Sequence, residues 1–315
     1  MTAGEPRLYY EVRGAGEPLL LITGLAVSCA VLAPMAERYA ARLRCITYDH
    51  PGSGRSSKRS LPFSTPQLAA SAIRVLDELE IDAAHVAGIS FGGAVAQELA
   101  LRFPDRVRGL ILISTSAAGP LSAWPDPRTL AAVTGRVVGG SVRRRRLWLG
   151  PAFFSPDFLD DEPDRAEAIL KPLTAHLAPP WSIAGQFCAA GLHDRALDLG
   201  RIGAPTLVLH GDRDLLVPVS NARRLADGIE DAELRVFPGA GHGFELARPE
   251  ATCSVVCDWL ERRRPTASER RGAAAARTER LTRGLAAPLS GLRLARSFGV
   301  LASRALRQAS ATSSR

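Results

Sequence analysis

The sequence predicts an α/β protein: a mostly parallel central sheet with helices on both faces and an inserted helical cap. Three observations point there. Short apolar runs alternate with amphipathic segments from residue 7 to 113 and again from 205 to 263, the order that builds a parallel sheet with crossover helices. From 117 to 198 the alternation stops, and Pro, Trp and Phe gather among short helical patterns. Gly88-Ile89-Ser90-Phe91-Gly92 joins an apolar run to a helical sequence, the pattern of a sharp strand-to-helix turn.

Each element has its own signal. Arg7 to Arg13 reads as an opening strand ended by Gly14-Ala15-Gly16, and Pro18 to Ile22 as a strand covered on both faces. A helix is expected from about Val31 to Arg42, then a strand from Leu43 to Tyr48, then a loop through Pro51-Gly52-Ser53-Gly54-Arg55-Ser56. Thr65-Pro66 has the form of an N-cap followed by a first-turn proline, with an apolar stripe from Leu68 to Leu79. Ala84 to Ala87 is the strand before the turn, and Gly93 to Ala100 belongs to the helix after it. Val107 to Ile113 is the next strand. Beyond the insertion come a strand at Pro205–His210, a helix near Ser220–Ile229, a strand at Ala232–Phe237 and a last helix from Pro249 to Arg263. The domains are therefore residues 1–116 and 199–264 as the two parts of one core, 117–198 as the cap, and 265–315 as a tail.

With 315 residues and 46% apolar content, the chain holds enough core-forming side chains for a folded protein of this size. The odd set of Cys29, Cys45, Cys188, Cys253 and Cys257 contains no C-x-x-C pair, which favours free thiols in a reducing cytoplasm over disulfides or zinc. Cys253 and Cys257 are four apart on a predicted helix, where packing explains them. Neither a signal peptide nor an apolar run long enough to span a bilayer is visible, so a cytoplasmic location is expected. The net charge of +8 lies wholly in residues 265–315, which carry ten arginines and two glutamates. If Leu289 to Gln308 is helical, Arg293, Arg296, Arg304 and Arg307 share one face and Leu294, Phe298, Leu301 and Ala305 the opposite one. Attachment to an anionic membrane or granule surface, a solvated tail, and docking onto the body are all compatible with that pattern. No nucleic acid is expected as a partner, because no aromatic platform is interleaved with the basic residues.

A serine hydroxyl needs a base within hydrogen-bond reach and a group to orient that base. Ser90 is the candidate nucleophile. Among six histidines, His242 in Pro238-Gly239-Ala240-Gly241-His242-Gly243-Phe244 follows the last predicted strand on a loop able to reach the serine. His210 and His85 read as structural, and His50, His176 and His193 as loop or cap residues. Gly211-Asp212-Arg213-Asp214 offers two carboxylates; Asp214, just ahead of Val217-Pro218, is preferred over Asp212. The backbone N–H groups of Phe91 and Leu25 are expected to form the oxyanion hole.

Gly88-Ile89-Ser90-Phe91-Gly92-Gly93, Gly211-Asp212-Arg213-Asp214 and Gly241-His242, in the order Ser, Asp, His, resemble the α/β-hydrolase family over about residues 7 to 263. Tyr48-Asp49-His50-Pro51-Gly52-Ser53-Gly54-Arg55-Ser56 is similar to that family's loop after its fourth strand. The resemblance implies Ser90 as nucleophile, Asp214 as acid and His242 as base, with no metal or organic cofactor. Thr23-Gly24 stands where many members have His-Gly, a departure in the oxyanion loop. A serine nucleophile implies ester, thioester, lactone or amide hydrolysis, carbon–carbon bond hydrolysis or haloperoxidase-like activity, and argues against relatives whose reactions use aspartate. A narrower similarity to intracellular polyhydroxyalkanoate depolymerases lies in Gly92 to Glu98 and Ser114 to Gly119. The expected function is a serine hydrolase of a small-molecule carboxylic ester. Trp124, Trp148, Phe153, Phe154, Phe158 and Trp181 in the cap suit an apolar acyl group or the cap's own core. A ligand-binding protein on the same fold is the non-catalytic alternative.

Overall fold

In the computed structural model, the described residues are 7–57, 64–127, 129, 149–175 and 178–264. Arg143–Arg146, Trp148, His176 and the whole 265–315 tail lie outside them. Among the described residues no helix is long and apolar enough to cross a membrane.

Seven strands form one sheet: β1 (Tyr10–Arg13), β2 (Pro18–Ile22), β3 (Arg44–Tyr48), β4 (Ala84–Ile89), β5 (Val107–Ile113), β6 (Thr206–Gly211) and β7 (Ala232–Phe237), in the order β1-β3-β2-β4-β5-β6-β7. Only β1 runs antiparallel, pairing Tyr10 with Tyr48. The register brings the carboxyl ends of the others together, with Ile22 beside Tyr48 and Gly88, Ile89 beside Ile113, and Gly211 beside Phe237. From β2 the chain turns to β3 on one side, while β4 starts the other side, so the crevice where ligands bind in such sheets opens between β2 and β4. Leu19 to Ile22 and Leu110 to Ile113 are all fully buried, which is why these strands read as unbroken apolar runs rather than alternating ones.

The helices whose full extent lies among the described residues are α1 (Ala33–Tyr39), α2 (Thr65–Glu78), α3 (Phe91–Arg102), α4 (Pro156–Asp161), α5 (Pro163–Ala175), α6 (Pro180–Leu192), α7 (Ser220–Gly228), α8 (Phe244–Ala247) and α9 (Pro249–Arg262). Two differ from the sequence expectation for local reasons. The helix expected from Val31 is a 3₁₀ turn at Cys29–Leu32 followed by α1, because Pro34 has no N–H to donate to Ala30 O, and that carbonyl accepts the Ala33 N–H instead. The N-cap of α2 is Ser64, not Thr65: Ser64 is extended and its Oγ accepts the Gln67 N–H at 3.4 Å, which leaves Pro66 at the second helical position. The four-residue α8 is too short to show a helical period. On α9, Cys253 and Cys257 are both buried beside Val256 and Leu260, as packing residues should be.

The body through Arg262 packs as one unit, and the described part of the insertion packs within it. Phe154, Phe158, Leu170 and Ile183 from the insertion share a core with Leu19, Met35, Phe244 and Trp259. Its two ends are tied down. Ala118 pairs with Asp194 in an isolated antiparallel bridge, and the Asn221 side-chain amide both accepts from Ala123 N–H at 2.8 Å and donates to its carbonyl at 2.7 Å. Glu98 on α3 is buried and meets Arg195 at 2.8 Å and Arg102 at 2.7 Å. Burial resists its ionisation, yet His193, Arg102 and Arg195 together hold its pKa down at about 2.

Candidate active site

β4 ends at Ile89 and α3 begins at Phe91, so Ser90 alone makes the turn. Its backbone, at φ 53° and ψ −120°, lies in a region that L residues adopt only under constraint. The constraint is visible in the neighbours. A Cβ on Gly88 would collide with the Gly92 carbonyl, and one on Gly92 with the Ile22 carbonyl, so the turn closes only with glycine at both positions. β5 secures it further: Ser90 N–H donates to Ile113 O at 2.8 Å, and Thr115 Oγ1 donates to Ser90 O at 2.8 Å.

His242 and Asp214 converge on this serine. His242 Nε2 lies 3.0 Å from Ser90 Oγ, and His242 Nδ1 lies 2.8 Å from Asp214 Oδ2. Asp214 Oδ1 accepts the N–H groups of Leu216 and Val217, both at 2.8 Å. His210 Nε2 approaches Asp214 Oδ2 at 3.2 Å and donates to Val217 O at 2.7 Å. Asp212, the other carboxylate, is exposed and accepts the Gly239 N–H at 2.7 Å, so it shapes the turn after β7 instead. His242 is set in place from a distance: its carbonyl accepts from Ser114 Oγ at 2.7 Å, and Gly243 N–H donates to Phe153 O at 2.7 Å.

The electrostatics follow from burial and pairing. Burial works against a charged Asp214, but the His242 charge and hydrogen bonds from His210 and His242 override it and hold the carboxyl far below its usual range. Burial likewise opposes a charged His242. The Asp214 carboxylate, by charge and hydrogen bond, wins and raises the imidazole pKa, with Glu245 adding to the rise. Glu245 itself is buried, which pushes its pKa up to about 7, and its Oε2 has no hydrogen-bond partner among the described residues.

Leu25 and Phe91 border the same cavity as Ser90 and His242. Phe91 is the first residue of α3, so its N–H has no carbonyl to meet within the helix. Gly24 sits against the serine, since a Cβ there would lie 3.6 Å from Ser90 Cβ. Thr23 O, where the sequence departs from His-Gly, accepts from His50 Nε2 at 3.3 Å, and Tyr48 OH donates to His50 Nδ1 at 3.3 Å. Burial lowers the His50 pKa to about 4, so this histidine is a neutral strut.

The cavity has a volume of about 540 Å³ and is walled by Val31 and Ile89 from the body and by Trp124, Leu149, Phe153, Leu173 and Phe187 from the insertion. The aromatic residues singled out in the sequence thus divide. Trp124 and Phe153 line the cavity, Phe154 and Phe158 fill the core, and Trp181 is 41% exposed. Phe187, Glu245, Ser114 and Thr115 were not anticipated at the site. Ser114-Thr115 directly after a buried strand was the one available signal, since hydroxyls there have only loops to bond.

Comparison with known proteins bears on this arrangement. The sequence profile of the "Alpha/beta hydrolase family" matches residues 19–255. The chain belongs to the alpha/beta hydrolase family. As an alpha/beta hydrolase it has the fold that the motifs implied, a mostly parallel central sheet packed with helices. It is 33% identical over 252 residues to the protein named "Putative carbamate hydrolase RutD" of Azorhizobium caulinodans, covering 78% of this chain and 92% of that one. It is 32% identical over 253 residues to the poly(3-hydroxyalkanoate) depolymerase of Ectopseudomonas oleovorans, covering 79% and 86%. A thermophilic esterase from Thermogutta terrifontis superposes with a TM-score of 0.70 at 26% identity, covering 84% of this chain and 97% of that one. These three are named as a carbamate hydrolase, a poly(3-hydroxyalkanoate) depolymerase and an esterase.

Proposed function

We propose that this alpha/beta hydrolase is a serine hydrolase that cleaves a carboxylic ester through an acyl-enzyme. The observation that carries the reading is the continuous line from Asp214 Oδ2 to His242 Nδ1 at 2.8 Å and from His242 Nε2 to Ser90 Oγ at 3.0 Å. Asp214 fixes the tautomer with the proton on Nδ1, leaving Nε2 as the acceptor for the serine proton. Ser90 Oγ then attacks the ester carbonyl, and the Leu25 and Phe91 N–H groups take the negative charge that forms on its oxygen. His242 returns the proton to the departing alcohol. Water, activated by the same imidazole, attacks the acyl-enzyme and releases the acid.

The apolar cavity supports an apolar acyl group, since its walls give a carbon chain contact and offer few polar partners. The same groups would serve carbamate cleavage, a reading favoured by the relative of that name; turnover of an ester against its carbamate counterpart separates the two. The decisive experiment replaces Ser90 by Ala. Hydrolysis of p-nitrophenyl butyrate should fall at least ~10⁴-fold, and labelling by a fluorophosphonate should vanish. Labelling that persists in Ser90→Ala overturns the assignment.

A further inference from the structure

The Leu25 N–H has to be aimed at a substrate oxygen, yet the segment that carries it does little to fix itself. Ala26, the next residue, has φ 67°, a conformation that costs an L residue energy and must be imposed from outside. Both of its backbone polar groups are held by the insertion. Ala26 N–H donates to Gln186 Oε1 at 2.8 Å, and Ala26 O accepts from Ala178 N–H at 2.9 Å. Gln186 stands on α6, 160 residues further along, and is completely buried. Its Nε2 donates to Ser53 Oγ at 2.9 Å, in the loop after β3.

A buried amide is costly unless both of its ends are satisfied. Here both are, and one side chain joins the oxyanion loop, the β3 loop and the insertion. An apolar residue of similar length would fill the same space. What the amide adds is the hold on Ala26 N–H. Without it that N–H is buried and unpaired, the Leu25–Ala26 peptide gains a reason to rotate, and the Leu25 torsions that join it to the preceding peptide, which carries the Leu25 N–H, are no longer fixed.

We propose that Gln186 is a positioning residue: by fixing Ala26 it sets the Leu25 N–H in the oxyanion hole, so the insertion governs the chemical step as well as the shape of the pocket. The inference rests on the Ser90 mechanism above. A hold of this kind acts where charge develops, and therefore on kcat and on tetrahedral anions more than on substrate binding.

The test compares full-length wild type, Gln186→Met, Gln186→Glu and Ser90→Ala, with p-nitrophenyl butyrate as substrate and butylboronic acid as inhibitor. Boron accepts a lone pair from Ser90 Oγ, His242 takes the hydroxyl proton, and the tetrahedral adduct carries the negative charge that the oxyanion hole would meet. In Gln186→Met, kcat should fall about 10- to 100-fold with KM within about threefold, and the boronate inhibition constant should rise by a similar factor to kcat. Gln186→Glu should recover most of both, because a carboxylate oxygen still accepts Ala26 N–H and Ser53 can reverse to donate. An unchanged kcat in Gln186→Met, or a loss without weaker boronate binding, overturns the inference. So does a Gln186→Glu protein that regains thermal stability without regaining kcat. Should Gln186→Met not fold, Ser53→Ala takes its place and should show a smaller loss of the same two quantities; unchanged values there overturn the inference too. Activity that survives in Ser90→Ala instead sinks the mechanism beneath it, so the two failures are distinguishable.

Discussion

Two turns at the site are shaped by their own neighbours, the first braced as well by Ile113 and Thr115, and two loops are held by residues far away in the chain. Ser90 sits between Gly88 and Gly92, whose missing side chains let the turn close. Asp214 folds its own loop, with Oδ1 accepting from Leu216 and Val217. The loop of Leu25, by contrast, leans on His50 and Gln186, and that of His242 on Ser114 and Phe153. The local turns fix the nucleophile and the acid cheaply, because nearby residues lose little chain entropy in meeting. The distant supports make the base and one oxyanion donor depend on the finished fold, including the insertion.

Asp214→Asn should break the local pair's chemistry while sparing its structure. The Asn side-chain oxygen can still accept from Leu216 and Val217, so the turn and the thermal unfolding midpoint should change little. What disappears is the charge that raises the His242 pKa and fixes its tautomer. We expect kcat for p-nitrophenyl butyrate to fall about 10⁴-fold; a loss under about tenfold would show that His242 is oriented without Asp214.

Gly88→Ala tests the other half of the same comparison. The added Cβ meets the Gly92 carbonyl, which is backbone at the first turn of α3 and has little room to yield. We expect a loss of about 2–4 kcal/mol, read by denaturant unfolding, with activity falling alongside it. An alanine variant as stable as wild type would mean that the turn is not held by its glycines.

That division explains what could be read in advance. Strands β2, β5 and β7 are legible to the residue: β2 and β5 because buried parallel strands concentrate apolar side chains between clear breakers, and β7, a half-exposed edge strand, because Glu233 and Arg235 alternate with Leu234 and Val236. Ser90, Asp214 and His242 stand out for a related reason: each follows a strand and sits among turn residues that the local geometry demands. Gln186 carries no such signal. Its partners across the fold are Ala26 and Ser53, residues with no chemistry of their own, and only the packed insertion brings them together. The cap aromatics were equally opaque, since Phe153 lines the cavity while its neighbour Phe154 enters the core, and composition cannot tell adjacent rings apart.

Glu245 provides the finest test of how the base is tuned. It lies on α8, three residues past His242, borders the cavity and is buried. Where ionised, it favours the protonated form of His242, adding to the larger effect of Asp214. The reaction needs His242 neutral, so kcat/KM should rise with pH through the imidazole pKa, and that limb should lie above the ordinary histidine value of about 6.5. Glu245→Gln removes an anion, which lowers the His242 pKa, and the limb should therefore move toward acid, by less than the loss of Asp214 would move it. It should also steepen toward a single titration, because Glu245, at about 7, titrates in the same window and couples to the imidazole in wild type. A plateau rate within about twofold of wild type at pH 9 would place the effect in the titration and not in the packing. If the limb stays where it is in a kcat/KM profile from pH 5 to 9, Glu245 is neutral throughout and the base is tuned by Asp214 alone.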